Sequence, residues 1–349
     1  MKNRRFVLVS HPVGVPTPDN FTLVEEDVRP LAEGEVRTRN LIFAIEPAIR
    51  GLLDAGDGTY LPSVPLGGMI PTMVLGEVTE SRNPAFKVGD YARGFIGWEE
   101  QSIIPADNFA IENVKIDPTV PLTAYMGALG WSGITAYIGL KRIGEMAAGD
   151  TVVISAAAGA VGSVAGQIAR LSGCRAVGIA STDKIAEVLG DLGYAAAVDY
   201  KSATDLSAAI REACDGKGAD VYFDNVGGKI LDTMLPLMAD FGRVVVCGMV
   251  ANYNSQSDPY PIRNLWEVLV HRLTLRGFLA YEHQDMLEES EHALADWIKS
   301  GALKATENVA TGIESTPDAF IRLLSGQTRG KTLVRLNDSV STLGDMKIA

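Results

Sequence analysis

The sequence predicts an α/β protein of two domains: a loop-rich β domain at the N-terminus, then a doubly wound parallel sheet. Three observations carry this. Twelve of the 16 prolines fall in residues 1–121 and none between Leu122 and Leu235, and proline is excluded from helix interiors and central strands. From Thr151 onward, apolar β-branched runs alternate with helical patterns, as expected of strands joined by helical crossovers. Eight small residues, Ser155-Ala-Ala-Ala-Gly-Ala-Val-Gly162, join the first of those runs to the first of those helices.

In the first third, EVRTRNLIFAI (35–45), TMVLGEVTES (72–81) and DYARGFIGWEEQSII (90–104) are β-branched runs flanked by Gly or Pro, as in a small β-barrel or sandwich. Gly89-Asp90 reads as a turn opening a strand at Tyr91. Trp98 reads as a packing anchor, and Glu99-Glu100 as a solvated strand or turn edge.

The middle changes period. Thr151–Ser155 is the first strand and Ser163–Ser172 the first helix, with Gly173 at its C′ position. Arg175–Ala180 follows. Ser181-Thr-Asp-Lys184 then caps a helix over Ile185–Leu192, stopped by Gly193. Ala197–Tyr200, Ala219–Asp224, Gly242–Cys247 and Leu273–Phe278 complete six strands. Glu288, Glu289 and Glu291 mark an exposed helix face. In the tail, Thr316–Leu324 reads as a helix. Lys331–Leu336 is a lone strand that returns to the N-terminal domain. The expected boundaries are 1–122, with 306–349 returning, and 123–305.

Composition excludes several classes. The formal net charge is −12 with no offsetting basic stretch, so a nucleic-acid partner is not expected. The apolar run Phe6–Val9 is too short for a signal peptide. The least polar segment, Val152–Gly166, is too short to span a bilayer. A soluble cytoplasmic protein is expected. The three cysteines lie far apart with no CxxC, against a disulfide framework or structural zinc.

The small-residue segment suits a phosphate cradle. The chain must turn tightly from strand to helix, and its backbone must approach the phosphates closely. The helix then aims its free N–H groups at the anion. In G-x-G-x-x-G terms the segment offers Ala157, Gly159 and Gly162, with alanine in the first glycine's place. NAD-binding proteins place an acidic residue at the end of the second strand. Here that place reads Gly178-Ile-Ala-Ser181-Thr182, followed by Lys184, which suits the 2′-phosphate of NADP(H). Asp183 is read as a helix N-cap.

A metal site is not expected. Residues 1–150 contain no cysteine and one histidine, and His271, His283 and His292 lack ligand spacing. Carbonyl polarisation would then fall to hydrogen-bond donors at the strand ends. Asn225-Val-Gly-Gly228, Gly248 through Tyr253-Asn254, and Leu279 occupy those ends. Tyr253 is the best donor; a packing tyrosine is the alternative.

These residues resemble a known family. SAAAGAVGSVAGQIARLSGCRAVGIA, YFDNVGG, VVVCGMVANYN, RNLIFAIEPAIRG and LLSGQTRGKTLV are similar to segments of the zinc-independent medium-chain dehydrogenase/reductases. The matching branch is that of prostaglandin reductases, plant double-bond reductases and bacterial curcumin reductases. The resemblance implies a GroES-like β domain, a Rossmann domain, and NADPH-dependent reduction of a C=C bond conjugated to a carbonyl. It implies that Ala158, Gly159, Val161 and Gly162 hold the pyrophosphate. Ser181, Lys184 and Tyr200 would serve the 2′-phosphate side. Asn225, Cys247, Gly248, Tyr253, Phe278 and Leu279 would line the nicotinamide pocket, with Thr328 and Gly330 contributing from the tail. Tyr253 would steady the enolate as the catalytic residue. A homodimer through the Rossmann sheet edge is implied as well.

Departures from the family pattern, Ala48 and Thr328 among them, bear on the substrate more than on the reaction. Besides an enone or alkenal reductase, a quinone or alcohol oxidoreductase and a non-catalytic NADP(H)-binding protein remain open.

Overall fold

In a computed structural model of the chain, residues 2–56, 61–108, 110–254 and 259–336 are described. The chain divides into two units. One comprises Met1–Met126, Glu307–Thr328 and Thr332–Ala349; the other comprises Gly127–Thr306 and Arg329–Lys331.

The first unit opens with β1 (Lys2–Leu8) and β2 (Phe21–Asp27), paired antiparallel. Then come β3 (Val36–Ala44), β4 (Met73–Ser81), β5 (Tyr91–Phe95), β6 (Gln101–Ile104) and β7 (Glu112–Val114). The run over 90–104 makes two strands. Between them Ile96 N–H donates to Thr72 O (2.7 Å) and Trp98 N–H to Ile70 O (3.0 Å), which turns the chain inward. Gly97 permits the turn: a Cβ there would strike Met69 and Ile70. Trp98 is fully buried, as expected, with ring centroids of Phe21 at 5.5 Å and Phe320 at 5.3 Å.

Glu99 corrects the reading of a solvated edge, for it is buried. Its carboxylate accepts from Asn3 Nδ2 and Ser102 Oγ, both at 2.8 Å. Only Glu100 matches the expectation, pairing with Arg4 on a partly exposed surface. Burial pushes the Glu99 carboxyl from 4.5 up to about 7, against those hydrogen bonds. Between those two values the folded state holds a proton that the unfolded chain has released. Glu99 therefore costs stability as pH rises through that window. Glu99→Gln removes this titration. Its stability relative to the unsubstituted protein is expected to rise by on the order of 3 kcal/mol between about pH 5 and about pH 8. Urea unfolding at both values checks this; an offset independent of pH would refute it.

The second unit begins with α1 (Trp131–Ile138) and β8 (Thr151–Ser155). It continues with α2 (Gly162–Leu171), β9 (Arg175–Ala180), α3 (Ile185–Leu189), β10 (Ala196–Asp199) and α4 (Leu206–Ala213). Next are β11 (Ala219–Asp224), α5 (Gly228–Met234), β12 (Met238–Val246), α6 (Val250–Tyr253), α7 (Trp266–Val270), β13 (Thr274–Gly277) and α8 (Leu287–Lys299). The six strands pair in parallel in the order β10-β9-β8-β11-β12-β13. This is the doubly wound order, whose direction reverses between β8 and β11. β8 is buried at every residue, as a central parallel strand must be.

Helix α2 closes as the sequence predicts. Gly173 has φ +79° and donates to Arg170 O, while Cys174 N–H reaches Ala169 O, the paired bonds of a Schellman cap. β12 starts at Met238, earlier than predicted. Its first residue pairs with Ala219, the chain bulges at Phe241 (φ +62°), and the register resumes at Val221↔Arg243. α3 ends at Leu189 rather than Leu192.

The chain then adds β14 (Glu307–Thr311), α9 (Thr316–Leu324) and β15 (Lys331–Arg335). β15 pairs antiparallel with β3, the predicted return. β14 was not foreseen. Among the described residues no helix is long and apolar enough to cross a membrane.

Candidate active site

The site in the second unit is built on the turn from β8 to α2. Ala157 N–H donates to Ile179 O (3.1 Å) and Gly159 N–H to Ala156 O (2.8 Å), folding the chain tightly back. Ala156 has φ +48°. At Gly162 a Cβ would overlap the Ala156 carbonyl, so glycine is obligatory there. Gly159 differs. A Cβ on it would come within 3.1 Å of Ala156 O and meet little else, so the chain's own packing demands glycine far less than at Gly162. The open space above it suits a ligand that approaches the backbone. Val161 provides no side-chain cap for α2, which leaves the helix's positive end available to an anion. Ala158 is buried, and its carbonyl accepts from Gly330 N–H at 2.8 Å.

One supporting residue escaped the sequence reading. Tyr194, buried, donates its hydroxyl to Gly162 O at 2.6 Å. Its ring lies where a Cβ on Gly166 would be, and 3.1 Å from one on Gly178. A glycine inside a helix and another inside a strand were the available signal.

At the end of β9, Ser181 is buried and donates to Asp183 Oδ1 at 2.7 Å. Asp183 is not the predicted N-cap. Its carboxylate takes the Ser181 hydroxyl and the Arg329 guanidinium (3.1 Å), and α3 starts after Lys184 with no side-chain cap. Lys184 is half-buried. Burial pushes its ammonium below the usual range, Asp183 opposes this, and Arg329 and Lys201 add to it. Exposed Tyr200 follows β10, its N–H donating to Ala180 O at 3.2 Å.

The carboxyl ends of β11 and β12 bring together Asn225, Cys247, Gly248 and Tyr253. Cys247 and Gly248 N–H both donate to Asp224 O, at 2.9 and 3.0 Å. Asn225 donates its Nδ2 to Ser155 O (2.7 Å) and its N–H to Ser155 Oγ (2.8 Å), tying this corner to β8. The Asp224 carboxylate accepts from Tyr222, Ser155 and the Val226 and Gly227 amides. Burial nevertheless raises its pKa. Burial likewise raises the Cys247 thiol to about 12, with Asp224 adding to it, so the sulfur stays protonated. α6 is anchored by Ala251 N–H on Val226 O (3.0 Å). The Tyr253 hydroxyl lies 3.6 Å from the point where a Cβ on Gly248 would sit.

Phe278 and Leu279 follow β13 and are half-buried. The Phe278 ring lies 2.9 Å from a Cβ position on Gly139, against α1's end. Thr328 is buried in the first unit.

Residues 4–111 match the family described as the N-terminal domain of oxidoreductase, and residues 160–299 that described as zinc-binding dehydrogenase. NADPH-dependent curcumin reductase from Escherichia coli K12 is 36% identical over 343 residues, spanning 96% of this chain and 97% of that protein. The chain belongs to the zinc-independent medium-chain dehydrogenase/reductases.

Two further relatives of this medium-chain reductase are informative. The NADP(+)-dependent 2-alkenal reductase of Nicotiana tabacum is 34% identical over 343 residues, spanning 97% of this chain and 98% of that protein. The crystal structure of CurA from Vibrio vulnificus in complex with NADPH superposes with a TM-score of 0.88 at 32% identity, covering 96% and 99% of the two chains. The zinc in one family description finds no fitting ligand set: among the described residues no group of three or more His, Cys, Asp or Glu could hold a metal ion. The bare turn at Gly159–Gly162, by contrast, fits a dinucleotide.

Proposed function

We propose that the protein uses NADPH to reduce the C=C bond of α,β-unsaturated aldehydes and ketones. Bound NADPH supplies the hydride. The chain's own groups hold and polarise. The turn at Ala158, Gly159, Val161 and Gly162, with Gly330 behind it, cradles the pyrophosphate, the Gly159 N–H being already given to Ala156 O. Ser181, Lys184 and Tyr200 receive the 2′-phosphate side. Asn225, Cys247, Gly248, Phe278 and Leu279 wall the nicotinamide pocket, with Thr328 assigned to the cofactor by resemblance. The Tyr253 hydroxyl donates a hydrogen bond to the substrate's carbonyl oxygen, where negative charge grows as the β carbon accepts hydride, and the α carbon then takes a proton from Tyr253 or water.

One observation carries the reading: a phenol anchored beside Gly248, at the strand ends next to the order reversal. The names of the curcumin and alkenal reductases agree with it. NADPH oxidation against a short alkenal, a long enone, a diarylheptanoid and a quinone tests it, with product analysis. Saturated carbonyl products are expected. Turnover of quinone alone, or reduction to alcohols, would overturn it.

The reading includes a homodimer. β13 ends the sheet and is exposed at every residue, and Trp266, Leu269 and Phe241 are 67%, 63% and 66% exposed. An uncovered sheet edge flanked by exposed apolar side chains is a pairing surface. Sedimentation is expected to show a dimer that Leu269→Asp dissociates; a monomer throughout would refute it.

A further inference from the structure

Arg329, Gly330 and Lys331 group with the second unit although they follow the other unit's helix α9. Gly330 is fixed there. It bridges Gly159 in parallel, donates to Ala158 O at 2.8 Å, and has φ +58°, with no room for a Cβ against the Thr306 carbonyl. From this fixed point the Arg329 side chain reaches the turn after β9. Its Nη2 donates to Asp183 O at 2.8 Å and lies 3.1 Å from Asp183 Oδ2. Its Nε lies 3.1 Å from Glu187 Oε2. Both carboxylates of the turn beside Lys184 are therefore paired with one guanidinium, and Ser181 takes Asp183's other oxygen.

This strand end decides between ribose hydroxyls and a 2′-phosphate. A free carboxylate accepts from the hydroxyls and repels the phosphate. We propose that Arg329 is the residue that sets this chain's preference for a 2′-phosphorylated cofactor, acting through Asp183 and Glu187. It neutralises the two acids and holds Asp183 in place, so that Lys184 presents a net positive corner. As an exposed ion pair it contributes little to stability; its effect falls on the charge met by a phosphate dianion. The proposal rests on the NADPH reading above.

Calorimetric titration with NADP+ and with NAD+ tests it without turnover. Arg329→Met is expected to weaken NADP+ binding about tenfold or more while changing NAD+ less than about threefold, and more so at low salt. Adding Asp183→Asn and Glu187→Gln to Arg329→Met is expected to recover most of the NADP+ affinity, because the uncompensated acids are gone. Arg329→Lys is expected to keep the preference in part. An unchanged NADP+/NAD+ ratio in Arg329→Met overturns the proposal. So does failure of the triple variant to recover, which would make Arg329 a direct ligand or a strut. An unsubstituted protein that binds NADP+ no tighter than NAD+ fails earlier and elsewhere: it removes the cofactor reading itself.

Discussion

Tyr253→Phe is expected to lower kcat for enone reduction about a hundred- to a thousandfold, the usual cost of losing one donor at a developing oxyanion. NADP+ affinity should stay within about twofold, because a binding contribution equal in ground and transition states is not what the hydroxyl supplies. The geometry supports the split. Tyr253 ends the short helix α6, whose start is held by backbone bonds to the loop after β11. Its ring position does not depend on the hydroxyl alone, so phenylalanine can take the same place. The hydroxyl sits beside Gly248, where the absence of a side chain leaves space. Steady-state kinetics with a saturating enone, together with calorimetry, separate the cases. An unaltered kcat would strip Tyr253 of its role. A loss of NADP+ affinity at constant kcat would make it a wall of the cofactor pocket.

Gly162→Ala is expected to abolish measurable NADP+ binding, weakening it about a hundredfold or more, and to cost about 1–3 kcal/mol of stability as an overpacked turn. The added methyl would meet the Ala156 carbonyl, and the neighbouring Ala157 Cα at 2.9 Å. Neither can retreat. Ala157 is tied to Ile179 and Gly162 itself to Tyr194, and Ala156 already occupies a left-handed conformation. Gly159→Ala is the informative companion. Its methyl would meet Ala156 O at 3.1 Å, a milder contact than at Gly162, so melting should fall less than in Gly162→Ala. It would still occupy the space a diphosphate needs. Loss of binding in both variants, with the larger loss of stability in the first, is the expected pattern. Full NADP+ affinity in Gly159→Ala would remove the cradle from this turn.

The elements read correctly from sequence share a physical trait: their signal is local. β8, β9 and β11 are short apolar runs between small residues, and their bounds match the predicted ones. Gly173 caps α2 through bonds spanning a few residues. Tyr253 could be found because it follows a strand end by one short loop.

What escaped detection depends on partners far along the chain. Tyr194 secures Gly162 from 32 residues away, and Arg329 reaches Asp183 across 146. Glu99 reads as one of a solvated pair because Asn3, a hydrogen-bond partner of its carboxylate, lies 96 residues off. β14 is partly exposed and not strongly apolar, so no alternation announced it. A bond between distant side chains leaves no period in the sequence, and burial by distant strands cannot be inferred from composition.

The aromatic packing around Trp98 has a consequence for biosynthesis. Phe320 contributes one ring to that cluster and Val334 another buried side chain, and both follow the main stretch of the second unit in the chain. A ribosome therefore delivers the leading β unit first but cannot complete its interior until the whole of Gly127–Thr306 has been made. The later-made parallel sheet, which has most of its residues by Thr306, is free to mature while its predecessor waits.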